Sequence, residues 1–203
     1  MKLRTLIMNA AALVTLGSAM PGNLSAGVIT ENLSGSYSST DNDFWVGQSV
    51  TTPADGPWSD LSFNLISTSN SPYALGTLFL LTQAYSGTPA GLSSSTSGFV
   101  ASTSSIVSGA WVFDSAVTVE SSTTYYLYEN AAFSDTEVLF GADPYAGGIA
   151  YESDSGASFY RIPEVDVQFQ FQGTQAPSTP EPATAFSALF ALGGIALLKR
   201  RKR

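Results

Sequence analysis

From Glu164 to Gln172 the chain alternates without interruption. Val165, Val167, Phe169 and Phe171 fall on one side, and Asp166, Gln168, Gln170 and Gln172 on the other. That period of two predicts a half-buried strand. Leu61, Phe63 and Leu65 alternate with Ser62 and Asn64 in the same way. Thr123 to Tyr128 is rich in β-formers, and Leu78 to Leu81 is apolar on both faces, as a central strand would be. Further strands are expected at Phe44–Val50, Ala110–Phe113, Val117–Glu120, Glu137–Phe140 and Ala157–Arg161. Turn-forming clusters separate them at Pro53–Pro57, Ser69–Pro72, Ser86–Gly91 and Ser153–Gly156. No helical period and no internal repeat interrupts this pattern. The expected fold is all-β, an antiparallel β-sandwich or jelly roll.

The two ends follow different rules. Lys2 and Arg4 precede an apolar run from Leu6 to Leu16, and Leu24-Ser-Ala26 offers a small-residue cleavage site. A charged start, a short apolar centre and a small-residue exit predict a secretory signal peptide over 1–26. The run is too short for a membrane helix, which needs about 20 apolar residues. At the other end Ala183–Leu198 is an apolar run of 16 residues followed by Lys199, Arg200, Arg201, Lys202 and Arg203. As a helix it would reach roughly 24 Å, a marginal transmembrane span. The five cations should stop it on the cytoplasmic side. The sequence thus divides into 1–26, a β domain at 27–173, a linker at 174–182, a span at 183–198 and a basic tail at 199–203.

Pro180-Glu181-Pro182, the short Ala/Leu/Phe/Gly helix and the terminal Arg/Lys cluster together resemble the PEP-CTERM sorting signal. The prolines keep the motif extended and delay the helix. The resemblance implies an exported protein of a Gram-negative bacterium, recognised by an exosortase and cleaved near Pro180, Glu181 and Pro182. The Sec translocon and signal peptidase are its implied earlier partners. It also implies a setting of exopolysaccharide or biofilm. The chain would be anchored in the inner membrane in transit, then placed at the cell surface, outer membrane or extracellular matrix. A second resemblance lies between Phe44 and Glu129. Trp58–Leu65, Gly76–Leu81, Tyr85–Leu92, Trp111–Asp114 and Val117–Leu127 follow an order similar to the choice-of-anchor extracellular domains, type R in particular. It implies a β-sandwich at the cell surface and transfers no functional residue.

Charge sharpens once the ends are set aside. Of eight basic residues, two lie in the leader and five in the tail, which leaves Arg161 alone. Fifteen of the sixteen acidic residues stay in the body, so its formal charge is −14. Such a surface repels nucleic acid and anionic lipid. It also repels acidic polysaccharide unless divalent cations bridge the two.

Candidate chemistry is sparse. Histidine and cysteine are absent, and the body has no lysine. That removes Ser-His-Asp catalysis, the common zinc sites, thiol chemistry and Schiff bases. Paired carboxylates could hydrolyse a glycoside, but no local pattern selects a pair, and the expectation is a protein without catalytic residues. Asp41, Asn42 and Asp43 place hard oxygen donors in a loop before the Phe44 strand, a candidate Ca²⁺ site, with Asp143 and Asp154 as weaker candidates. The competing account is an Asx-rich turn. Trp45 and Trp58, beside polar loops, are candidate glycan contacts, whereas Trp111 and Tyr126 are expected to be wholly or partly buried. The leading functional expectation is a non-enzymatic surface or matrix protein. The alternative is a carbohydrate-binding β-sandwich module, with or without calcium.

Overall fold

Alternating apolar positions need an opposing layer, and in the computed structural model they have one. The structure describes residues 26–175 apart from 36, 39–42, 68–71, 134–137 and 143–144. The strands in chain order are β1 (Gly27–Asn32), β2 (Tyr37–Ser38), β3 (Phe44–Thr51), β4 (Trp58–Ile66), β5 (Pro72–Tyr73), β6 (Leu78–Leu81), β7 (Phe99–Thr103) and β8 (Ile106–Val107). They continue with β9 (Ala110–Val112), β10 (Thr124–Glu129), β11 (Leu139–Ala142), β12 (Ala150–Asp154), β13 (Tyr160–Arg161), β14 (Val165–Val167) and β15 (Phe169–Gln175). A single 3₁₀ turn at Pro89–Gly91 is the helical element among the described residues.

All pairings are antiparallel. One six-stranded sheet runs β1-β15-β4-β9-β8, with β5 also on β4; a second runs β13-β12-β3-β10-β6-β7; a small third runs β14-β11-β2. Phe63, Trp111, Phe169 and Phe171 of the first sheet share one core with Val46, Val50, Leu80 and Leu127 of the second, and Phe140 and Val167 of the third join it. The arrangement is consistent with a β-sandwich. Phe63 lies 5.7 Å from Phe169 and 6.2 Å from Trp111, both stacked. Each such pair adds about 0.5–1.5 kcal/mol beyond burial alone. Packing of this kind has to hold a domain with no disulfide.

Leu78–Leu81 behaves as its composition predicts. Leu78 and Leu80 enter the main core, while Phe79 and Leu81 enter a second cluster on the opposite face of the same sheet. Short turns close the hairpins. Ser108 and Gly109 both have positive φ (53° and 81°) between paired Val107 and Ala110, the backbone of a type I′ turn.

The long alternating segment 164–172 forms two strands rather than one. β14 belongs to the third sheet and β15 to the first, with Gln168 at the break. Its N–H donates to the Leu139 carbonyl at 2.7 Å and its carbonyl accepts from Ile66 N–H at 2.9 Å, so each backbone group serves a different sheet. Asp166, expected on a solvent face, is 0 % exposed. Its carboxylate accepts from Gln48 Nε2 at 2.8 Å and from Tyr145 N–H at 3.1 Å. Gln48 Oε1 in turn accepts from Val167 N–H at 3.1 Å, and Asn32 Nδ2 donates to the Val167 carbonyl at 2.8 Å. One polar knot therefore joins β1, β3 and β14, one strand from each sheet.

Val117–Glu120, expected as a strand, contributes only the bridge Trp58↔Val119. β12 was not anticipated, because Tyr-Glu-Ser-Asp after a glycine pair has a weak strand composition. Asp166→Ala would leave the Gln48 and Tyr145 donors without that acceptor inside the core. The expected loss is about 3 kcal/mol of stability, read as a lower urea midpoint, with a smaller loss for Asp166→Asn.

Candidate functional site

An antiparallel layer ordinarily turns polar side chains away from its core. The first sheet does so: Glu31 pairs with Gln170, Asn64 with Gln170 and Ser62 with Gln172, all on the side opposite Phe63 and Phe171. The second sheet does not. Its register sets Arg161 opposite Tyr151, Tyr151 opposite Gly47, Gly47 opposite Tyr128 and Tyr128 opposite Phe79, in one lateral row across five strands. Tyr126, two residues from Tyr128, and Trp45, two residues from Gly47, share that outward face.

The middle of this face is covered. Tyr128 is fully buried, with Phe159 at 4.8 Å, Tyr151 at 5.3 Å and Tyr85 at 6.0 Å between ring centroids. Its oxygen accepts from Tyr85 N–H at 3.1 Å. Burial pushes its ionisation far above the ordinary phenol range, so it remains a neutral donor. Gly47 has to be a glycine, because a Cβ there would run into the Tyr128 ring. The rim is different. Tyr126 and Tyr151 are half-buried, 6.1 Å apart and edge-to-face at 67°. Desolvation raises the Tyr151 pKa, and the Arg161 charge lowers it in part. Tyr160 is 50 % exposed at the outer edge, its pKa raised by burial and then by Glu152.

The tryptophans separate. Trp111 is buried and donates Nε1–H to the Gly76 carbonyl at 3.2 Å. Trp58 is 5 % exposed, its backbone bridged both ways to Val119 at 2.9 Å. A residue so enclosed offers no face to a sugar, which corrects its reading as a glycan contact. Trp45 is half-buried against the outward cluster.

Of the candidate calcium ligands, Asp41, Asn42 and Asp143 lie outside the described residues. Asp43 is exposed with φ 68°, its carbonyl accepting from Ser155 N–H at 2.9 Å. Asp154 stands opposite Phe44 in the β3–β12 ladder, so the fold brings these two acidic positions to one corner. Among the described residues no group of three or more His, Cys, Asp or Glu side chains could hold a metal ion. Pro180, Glu181, Pro182 and Lys199 to Arg203 also lie outside the described residues, as do 1–25. Among the described residues no helix is long and apolar enough to cross a membrane.

Glu129 is a buried acid that no local signal marked. It is 0 % exposed at the end of β10. The β3–β10 ladder runs to Tyr128↔Gly47, and contact between the two segments resumes at Phe133↔Phe44. In the gap, Glu129 Oε1 accepts from Val46 N–H at 3.2 Å, and Oε2 has no partner. The side chain replaces a main-chain acceptor. Desolvation raises its pKa well above the ordinary carboxyl range, opposed by that one hydrogen bond.

No protein-family model, curated protein or solved structure matches this chain.

Because the folded pKa of Glu129 is raised, the folded state holds this proton more tightly than the unfolded chain. Its contribution to stability is complete below the ordinary carboxyl pKa and is lost as pH rises toward the folded value. Urea unfolding should show stability falling as pH rises above the ordinary carboxyl range, with a slope from this group of at most one proton. Glu129→Gln keeps an acceptor for Val46 and does not titrate. It should flatten the slope and be the more stable form at the upper end.

Proposed function

We propose that this chain is an exported, non-enzymatic surface or extracellular-matrix protein. In this reading a signal peptide over 1–26 directs secretion through the Sec translocon. Residues 183–198 then hold the chain in the inner membrane, and an exosortase processes it at Pro180-Glu181-Pro182. The body, a β-sandwich of the choice-of-anchor kind, remains at the cell surface or in a matrix rich in exopolysaccharide.

The observation that carries this reading is the pairing of the first and last strands. β1 and β15 are antiparallel neighbours, and Gly27 stands opposite Gly173. Gly27 is the first residue after the expected cleavage point, and Gly173 is the last of the expected domain. The β body thus joins its first strand to its last, and β15 runs on to Gln175, two residues into the expected linker, where Thr174 and Gln175 pair with Ser59 and Trp58. Both junctions lie at the same end of one sheet, so an anchor there would leave the opposite end free. Among the described residues the two fully buried carboxyl groups, Glu129 and Asp166, accept hydrogen bonds that hold strands together. Both oxygens of Asp166 are occupied in the frame, which supports the non-enzymatic reading.

The test is processing. Expressed full-length in cells with an active exosortase, the chain should reach the surface without its first 26 residues and without the apolar run and basic tail. Intact-mass measurement of the surface fraction reads this directly. Glu181→Ala should leave most of the protein unprocessed in the membrane fraction. A surface form that keeps residues 183–203 in those cells would end the proposal.

A further inference from the structure

The two large sheets differ in what they turn outward. The first presents Ser62, Gln170 and Gln172, whereas the second presents Trp45, Tyr126, Tyr128 and Tyr151. Tyr85 and Phe159 cover Tyr128 at the centre, and Trp45, Tyr126 and Tyr151 pack against that cluster from its margin. Tyr126 and Tyr151 stay half-buried at the rim, and Arg161 stands directly across from Tyr151 in the β12–β13 ladder.

We propose that the Tyr126–Tyr151 rim, with Arg161 beside it, is a binding site for a neutral glycan chain. A pyranose ring lies against the tyrosine faces, and its hydroxyls meet the phenol oxygens and the guanidinium. Each part has a physical reason. An aromatic face carries partial negative charge and attracts the polarised C–H groups of a sugar. A phenol hydroxyl both donates and accepts, and a guanidinium offers five donors and no acceptor, which suits a ligand rich in hydroxyl oxygens. The Tyr126 and Tyr151 rings meet at 67°, so they form an angled support rather than a flat sheet.

Charge decides among occupants. The body carries a formal −14, and Arg161 is its one basic residue. Recruiting a polyanion takes several cations acting together, and the summed field of fifteen acids opposes its approach. A neutral polymer feels no such field. The inference does not depend on export or processing and would stand if either failed.

The full-length chain, held in a detergent that contains no sugar, would be titrated with neutral hexasaccharides: cellohexaose, laminarihexaose and maltohexaose. A uronic-acid hexamer, hexagalacturonate, serves as the anionic probe. At least one neutral hexamer should bind, and more tightly than the anionic one. Tyr151→Ala and Tyr126→Ala should each weaken binding about tenfold or more. Arg161→Ala, at an exposed position that does not endanger folding, should weaken it several-fold and keeps the test decisive if a tyrosine variant fails to fold. Failure of all three neutral hexamers to bind would overturn the proposal. So would tighter binding of hexagalacturonate, or neutral binding that none of these substitutions alters.

Discussion

The fold depends on one buried polar contact, Gln48 against Asp166. A carboxylate with no exposure is costly unless its oxygens are occupied, and here Gln48 Nε2 and Tyr145 N–H occupy them. Gln48 is fixed in turn by Val167 N–H, and the Val167 carbonyl is taken by Asn32. Aromatic packing between the sheets supplies most of the cohesion but little register, because flat rings tolerate sliding. The polar knot does not slide. Its donors and acceptors meet at fixed positions, and moving β14 by one residue would break four contacts together. The hydrophobic core makes the layers adhere, and this knot fixes how the third sheet sits against the other two. Tyr145 extends the same logic, since its hydroxyl pairs with both backbone groups of Thr51 and its ring meets Phe169 at 82°.

The same economy appears at Glu129. A strand that leaves its ladder strands a backbone donor, and the usual remedy is water or a return to pairing. Here the acid turns inward and supplies the acceptor itself. The result is a gap in the ladder between Gly47 and Phe44 in which one main-chain donor is satisfied by a buried acid whose proton is held more tightly than usual. The arrangement holds the start of β3 and the exit of β10 together, and Asp43, Trp45 and the outward aromatic face all lie on those two segments or beside them. A local backbone accommodation thus sets the position of the most unusual surface of the domain.

Much of this was legible in the sequence. The strands at Phe44–Val50, Leu61–Leu65, Leu78–Leu81 and Thr123–Tyr128 follow from period and composition, because their faces meet layers of different polarity. The double-sided Leu78–Leu81 was read correctly for a physical reason, since it separates two apolar clusters. What the pattern could not carry was anything decided by a distant partner. Asp166 and Gln168 look like outward positions of an alternating strand, and only Gln48, Leu139 and Ile66, remote in sequence, turn them inward. Glu129 looks like the polar end of a strand until Val46 is seen beside it. Trp58 sits next to a turn-forming cluster and reads as exposed, yet the bridge to Val119 encloses it. Short elements such as β5 and β8 are set by their neighbours and carry almost no signal of their own.

The outward aromatic face is where local and global rules disagree, and that disagreement is informative. A sequence that merely filled a sandwich would place Ser, Thr or Gln at positions 126, 128 and 151, as the first sheet does at 62, 170 and 172. Tyrosine at those positions requires a cover, and Tyr85 and Phe159 supply a full one for Tyr128, with Tyr126 and Tyr151 half-buried against the same cluster. Gly47 was kept small so that the Tyr128 ring could lie flat across the sheet, a concession that weakens a central strand by roughly 0.5–1 kcal/mol relative to alanine. A stability argument accounts for the covered centre, which is a second small core. Tyr126 and Tyr151 pack against that core in part and keep part of their rings at the surface. Their half-buried rings, beside the single cation of a strongly acidic body, are the surface on which the proposed glycan contact rests.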